Sequence, residues 1–277
     1  MSAAAVNHGP SALGGSFRRF VDLTLTLAVV DFKLRFFGSV LGYLWTLLRP
    51  LMLFGVLYFI FTRVVDIGAG VKYYPVYLLT SMVLFNFFQE TTSNGLTSLI
   101  ARETMLRKMR FPRLVIPVSV ALTSLFNLAA SMLAVLVFAF GSGVTPRWSW
   151  LQLPVIVLLL AVLSVGLAML LSALFVRYRD IGPIWDVVLQ IMFYASPILY
   201  VVALLPDNIE RKMLILNPIA ALLTQMRHAV LDPSAPTVTQ AVGNDAQLLV
   251  PFGIIFGLFA VGWLFFKREA PRIAENL

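Results

Sequence analysis

The chain of 277 residues has no cysteine and only two histidines, His8 and His228. The first absence removes disulfide frameworks and thiolate chemistry, and the second removes any His-x-x-x-His metal site. No Gly-Lys pair occurs anywhere, so the chain has no phosphate-binding loop of its own. Charge is also scarce, at 12% of residues, and it is lopsided, with 13 acidic against 21 basic side chains. What fills the space is apolar: hydrophobic residues make up 60% of the chain and the mean hydropathy is +0.89, well beyond an ordinary soluble domain.

The apolar residues fall into six blocks of about 20 residues or more, over 41–62, 74–95, 114–140, 153–176, 181–202 and 248–266. Unsatisfied backbone groups cost several kcal/mol in lipid, so blocks this uniform are expected to be helices. The ten-residue alternation of a membrane β-barrel is missing. The expected fold class is therefore an all-α integral membrane protein with six transmembrane helices.

Fourteen of the 21 basic residues fall on one side of that topology and six on the other, with Arg49 inside a span. The excess predicts a multi-pass membrane protein whose termini and second and fourth connections face the cytoplasm. Lipid headgroups account for the net charge of +8, and no basic-aromatic surface points to nucleic acid.

Residues 1–16 have neither a basic start nor an apolar core and read as a disordered cytoplasmic tail, not a cleaved signal. Over 17–37, Phe20, Leu23, Leu27, Val30, Leu34 and Phe37 recur at helical spacing, opposite Arg18, Asp22, Thr26 and Lys33. That pattern predicts an amphipathic helix in the cytoplasmic interface, preceding one transmembrane domain over 38–277. The connection over 98–113 carries Arg102, Glu103, Arg107, Lys108 and Arg110 and stops at Phe111-Pro112, which suits a short helix.

The external connection over 203–247 is the long one. Asn217 is placed to cap a helix opening with Pro218 and running to Leu231, with Gln225 and His228 off its apolar face. A helix of that length is too short to span, so it is expected to be re-entrant or interfacial. Asp232-Pro233 ends it, and 234–245 reads as an exposed loop.

Polar residues at bilayer depth are functional candidates by default. Asn86, Glu90, Ser93 and Thr97 form one stripe in the second block, and Asp186, Gln190, Phe193, Pro197 and Tyr200 form another in the fifth. Both stripes suit either a conduit or interhelical hydrogen bonding. Trp45, Tyr58, Phe85 and Phe88 add aromatic faces of the kind that stack on pyranose rings.

Leu41-Gly42-Tyr43-Leu44-Trp45, Arg49-Pro50, the Arg177-Tyr178-Arg179-Asp180 turn, Ser196-Pro197-Ile198, and Asn217-Pro218 with Arg227 downstream occur in an order that resembles the permease subunit of type-2 ABC exporters. Within that group the chain is most similar to exporters of O-antigen, capsule, teichoic acid and galactan. The resemblance implies a homodimer with two copies of a cytoplasmic ABC ATPase, which would hold the ATP and Mg. It implies a lipid-linked glycan as cargo and no catalysis or cofactor on this chain. It also implies that 17–37 and the loop 98–113 touch the ATPase, through Arg18, Arg19, Arg102, Glu103, Arg107, Lys108 and Arg110. Asn217, Pro218, Gln225, Arg227 and His228 would belong to an external gate. Two other readings stay open at this point: export of a drug or lipid on the same fold, and a membrane glycosyltransferase using Asp207 or Glu210 as base.

Overall fold

In the computed structural model, which describes residues 17–36, 40–65, 70–108, 112–243 and 245–270, every regular element is helical. The long elements are α1 (Phe17–Phe36), α2 (Val40–Phe59), α3 (Tyr74–Ala101), α5 (Val115–Gly141), α6 (Gln152–Arg177), α7 (Ile181–Ala195) and α11 (Leu249–Glu269). Short helices sit in the connections: α4 (Glu103–Lys108), α8 (Asp207–Leu216), α9 (Pro218–Met226) and α10 (Val238–Val242).

The helical segments Val115–Gly141, Trp148–Arg177 and Ala246–Glu269 are long and apolar enough to cross a membrane. α3 is longer than any span requires, but Asn86, Gln89, Glu90 and Asn94 lower its hydropathy. It tolerates them because it is the most enclosed of the long helices, packed between α5 and α6 with α2 and α7 on its flanks. α2 holds Pro50 and passes into a π-helical turn at Ile60–Val64.

Helices approach closely where side chains vanish. At Gly262 of α11 an added Cβ would lie 2.0 Å from the Gly166 carbonyl oxygen, and at Gly95 of α3 it would lie 2.6 Å from the Ala168 Cβ. Small residues at facing positions let membrane helices gain van der Waals contact where lipid tails supply no hydrophobic drive.

One end of the bundle gathers the basic residues Arg102, Arg107, Arg113, Arg177, Arg179, Lys267 and Arg268. Beneath them Leu99, Leu106, Leu114, Val176 and Phe266 pack together with Phe20, Leu23 and Leu27 of α1. The opposite end is closed by α8, α9 and α10, and α8 meets the Pro218–Leu231 segment at 107°.

Three sequence expectations change. The fifth block does not run helically to Val202: α7 stops at Ala195, about 22 Å long at 1.5 Å per residue. The cause is local, since the residue before a proline is driven to extended backbone, and Ser196 sits at φ −102°, ψ 148°. The loop 234–245 contains α10, started by a capping box in which Thr237 and Gln240 exchange hydrogen bonds with each other's backbone N–H. On α1 the apolar stripe is only half used: Val30 and Leu34 are exposed, while Thr24 and Ala28 are buried. Ala28 lets α1 lie close along α5, where Thr123 donates to its carbonyl at 3.3 Å and Phe32 meets Phe126 edge-on.

Candidate functional site

The polar stripe of α3 is the part of that helix that is left uncovered. Asn86, Gln89, Asn94 and Thr97 are exposed and Glu90 and Ser93 half-buried, whereas the apolar residues around them are packed away. Asn86, Gln89, Glu90 and Ser93 line a cavity of about 440 Å³, shared with Pro50 and Leu53 of α2 and Asn127 and Ser131 of α5. Glu90 is the charge inside it. Its carboxylate accepts from the Asn127 side-chain amide at 2.6 Å and pairs with the Arg35 guanidinium at the end of α1. These two donors, one from α5 and one from α1, fix the orientation of the carboxylate at the cavity wall.

A second ion pair joins the same helices nearer the basic end. Arg102 holds Asp31 of α1 and donates to the Ser119 hydroxyl at 3.0 Å. Of the residues expected to meet an ATPase, Arg102 is thus engaged within this chain. Glu103 and Arg107 pair with each other at 2.7 Å on the surface, and Arg18 and Arg19 are exposed. Arg110 and the Lys108 side chain, like the tail 1–16, lie outside the described residues, and so does the Trp45 side chain.

Among the aromatic path candidates, Phe85 and Phe88 are 2% and 0% exposed in this chain and pack on Phe193 and Trp185 of α7. Tyr58 is partly exposed and stacks on Phe54. The α7 stripe is split as well. Asp186 and Gln190 face outward beside the exposed Ile184, Val187, Ile191 and Tyr194. Phe193 meets Phe85 from within the helix, and Pro197 and Tyr200 turn inward where the chain leaves the helix at Ser196.

That break is held by groups the sequence did not mark. The Tyr74 hydroxyl donates to the Leu199 carbonyl at 2.6 Å, and Tyr77 donates to the carbonyls of Pro197 and Tyr200. Two tyrosines three residues apart at the start of α3 were the available signal. Asn217 then works in two directions. Its side-chain oxygen accepts from the N–H groups of Ile219 and Ala220, capping α9 ahead of Pro218, while its amide donates to the Ala195 carbonyl and the Ser196 hydroxyl.

The far end of the α9 segment is tied down too. Gln225 donates to Gln152 of α6 at 2.9 Å and accepts from the Val238 N–H of α10. Ser149 and Trp150 donate to the carbonyls of Ala229 and Val230 in the π-helical turn Arg227–Leu231. His228 shares a hydrogen bond with the Ala235 carbonyl, and Arg227 lies 3.9 Å from Asp232. Burial works to raise the Asp232 carboxyl, yet two hydrogen bonds from Ser234 and the charges of Arg227 and Lys72 outweigh it and hold the group below the usual carboxylate range.

Among the described residues no cluster of His, Asp and Glu could hold a metal ion. The described residues thus combine an uncovered polar face on α3, a helix α1 tethered by two ion pairs, and a sharply bent, hydrogen-bonded helix pair at the end away from the basic residues.

Known proteins place the chain in a lineage. Over 257 residues, 92% of this chain and 95% of the relative, it is 30% identical to the O-antigen export system permease protein RfbA of Klebsiella pneumoniae. A second RfbA of that species is 28% identical over the same shares, and one from Myxococcus xanthus is 32% identical over 207 residues, 74% of this chain and 79% of the relative. The family of ABC-2 type transporters matches over residues 22–231, a stretch that takes in α2 through α9 and with them the cavity, the broken α7 and the capped α9. This chain belongs to the ABC-2 type transporter family.

Proposed function

We propose that the chain is the membrane subunit of an ATP-driven exporter that moves a lipid-linked polysaccharide outward across the cytoplasmic membrane. The observation that carries this reading is the likeness to O-antigen export permeases along nearly the whole of both chains. The basic end faces the cytoplasm, following the positive-inside rule. α2, α3, α5, α6, α7 and α11 are the six spans, α1 lies toward the cytoplasmic interface, and α8 with α9 forms the gate at the outer mouth.

Two copies associate through the uncovered faces of α2 and α7, where Asp186 and Gln190 stand among apolar side chains and Met52, Val56 and Phe59 are exposed. The conduit runs along that junction. Hydrolysis of ATP takes place on two copies of a separate ABC ATPase, which engage the exposed Arg18, Arg19 and Arg107. Closure of the ATPases moves α4, and the movement reaches the bundle through the Asp31–Arg102 and Arg35–Glu90 pairs.

The test is depletion of this chain in its host, with extraction of lipid-linked polymer. The expected result is polymer accumulating on its carrier at the inner face, restored to the surface by the wild-type chain together with its ATPase. Export of polymer at the normal rate, with altered drug resistance alone, would replace this reading with drug or lipid export.

A further inference from the structure

Between α9 and the helices α6 and α11 lies a second cavity of about 420 Å³. Its walls are two turns of α6 from Gln152 to Leu159, the α9 residues Pro218, Ala221 and Leu222, and Pro251, Phe252 and Ile255 of α11. Its polar lining is limited to Gln152, Gln225 and Thr239, and Gln225 is already engaged, donating to Gln152 and accepting from the Val238 N–H. What remains is an apolar slot, roughly 10 Å deep along α6 at 1.5 Å per residue.

The mouth of the slot opens on side chains suited to lipid. Leu151, Val155 and Phe252 line the cavity and are also exposed, at 65%, 56% and 42%. They continue into Leu249 and Phe256 on α11, a helix of bilayer-crossing length with little of its surface covered. Beside the lining residue Leu248, Gln247 accepts two hydrogen bonds from the Arg211 guanidinium, so an exposed cation stands at the outer rim with a neutral amide as partner. Lys212 is exposed beside it.

We infer that this slot holds one acyl chain of a bilayer phospholipid whose phosphate rests at Arg211. An apolar void costs stability in proportion to its volume, and acyl chains are the material that lies against this face. The volume admits on the order of a dozen methylene groups, each needing close to the ~30 Å³ share of a water molecule. Charge complementarity selects a phosphate-bearing lipid, because guanidinium pairs with phosphate oxygens in a bidentate fashion. The chain so held is a wall of the gate: it lies between α9 and the α6 and α11 helices that α9 packs on. This site depends on the membrane embedding of the family and not on the cargo.

The transporter with its ATPase, reconstituted in liposomes containing phosphatidylglycerol with a photoreactive group on the acyl chain, provides the test. Adducts are expected to concentrate on residues 151–159, 218–225 and 248–255, severalfold above those at the exposed Leu133 and Val137 of α5. Val155→Trp at the mouth and Ala221→Phe inside should each lower the slot adducts severalfold and leave the α5 adducts unchanged. Arg211→Glu should reduce labelling by the anionic lipid. The inference is overturned by even labelling of both belts, or by unchanged slot labelling in Val155→Trp eluting as intact complex. It is equally overturned if a photoreactive polyprenyl phosphate labels the slot in preference to phospholipid, or if a second copy of this chain is cross-linked there.

Discussion

Asn217 serves two helices with one amide, and the two halves of its work separate by substitution. In Asn217→Asp the oxygens that accept from Ile219 and Ala220 remain, but the donors to Ala195 and Ser196 are gone. In Asn217→Ala both functions are lost. A helix cap is worth about 1 kcal/mol and a buried hydrogen bond about as much again, so the alanine variant is expected to melt earlier than the aspartate variant, and both earlier than wild type. Thermal unfolding of the purified complex reads the order. Tyr77→Phe tests the other side of the same joint: it leaves the carbonyls of Pro197 and Tyr200 short of a donor, at a cost of about 1–3 kcal/mol. Asp232 responds to pH in a defined direction. Its folded-state value is lowered, so its stabilising contribution is in place above the unfolded value of about 3.9 and drains away as pH falls through the folded one. Protection of the segment 232–243 against hydrogen exchange, taken relative to the intrinsic amide rate at each pH, should therefore fall below about pH 4. In Asp232→Asn that loss of protection with falling pH should be absent.

Helix contacts set harsher limits than single hydrogen bonds. A Cβ at Gly166 would come within 2.5 Å of the Phe259 Cα, and one at Gly262 within 2.0 Å of the Gly166 oxygen; both obstacles are backbone. Gly262→Leu is thus expected to force α6 and α11 apart and to abolish the monodisperse complex on size exclusion. Gly253→Ala and Gly257→Ala, with nothing within 4 Å of the added carbon, should leave it intact and raise helix stability by about 0.5–1 kcal/mol each. Which of these elements the sequence announces depends on how local the cause is. The apolar blocks and the Asn217-Pro218 cap are legible because each helix carries its own signal. The end of α7 was legible in kind, through Ser196-Pro197, but the chain beyond it is as apolar as the helix, so composition alone ran the block on to Val202. α10 was missed although Thr237 and Gln240 spell its capping box, because its single buried turn is too short to show a period. Phe85 and Phe88 share a helix face with the polar stripe's neighbours, and aromatic spacing is the same for a conduit wall and for a core.

At the scale of the whole molecule the decisive contacts join residues far apart in the chain, and no periodicity reveals them. Arg35 and Glu90 are 55 positions apart, and Asp31 and Arg102 are 71, yet these two pairs fasten α1, which lies along α5, to α3 as well. Their spacing matters mechanically. Arg102 follows Glu90 by 12 residues, about 18 Å along the axis of α3, while their partners on α1 are one turn apart. The two ion pairs therefore tie one turn of α1 to two well-separated points at the α3 side of the bundle. α3 in turn carries the tyrosines that hold the broken end of α7, so a displacement begun at the basic end has a continuous route to the opposite mouth. If that route couples ATP hydrolysis to export, Arg35→Glu should leave the complex assembled and still hydrolysing ATP while export falls sharply, because the like charges now repel. Glu90→Arg alone should behave in the same way, facing Arg35. The doubly exchanged Arg35→Glu/Glu90→Arg chain should recover export, with a coupling energy between the two sites on the order of 1–3 kcal/mol. Parallel assays of ATP hydrolysis and polymer export on the three variants decide the matter. A double exchange no better than either single change would show that the pair fastens α1 without transmitting anything through it.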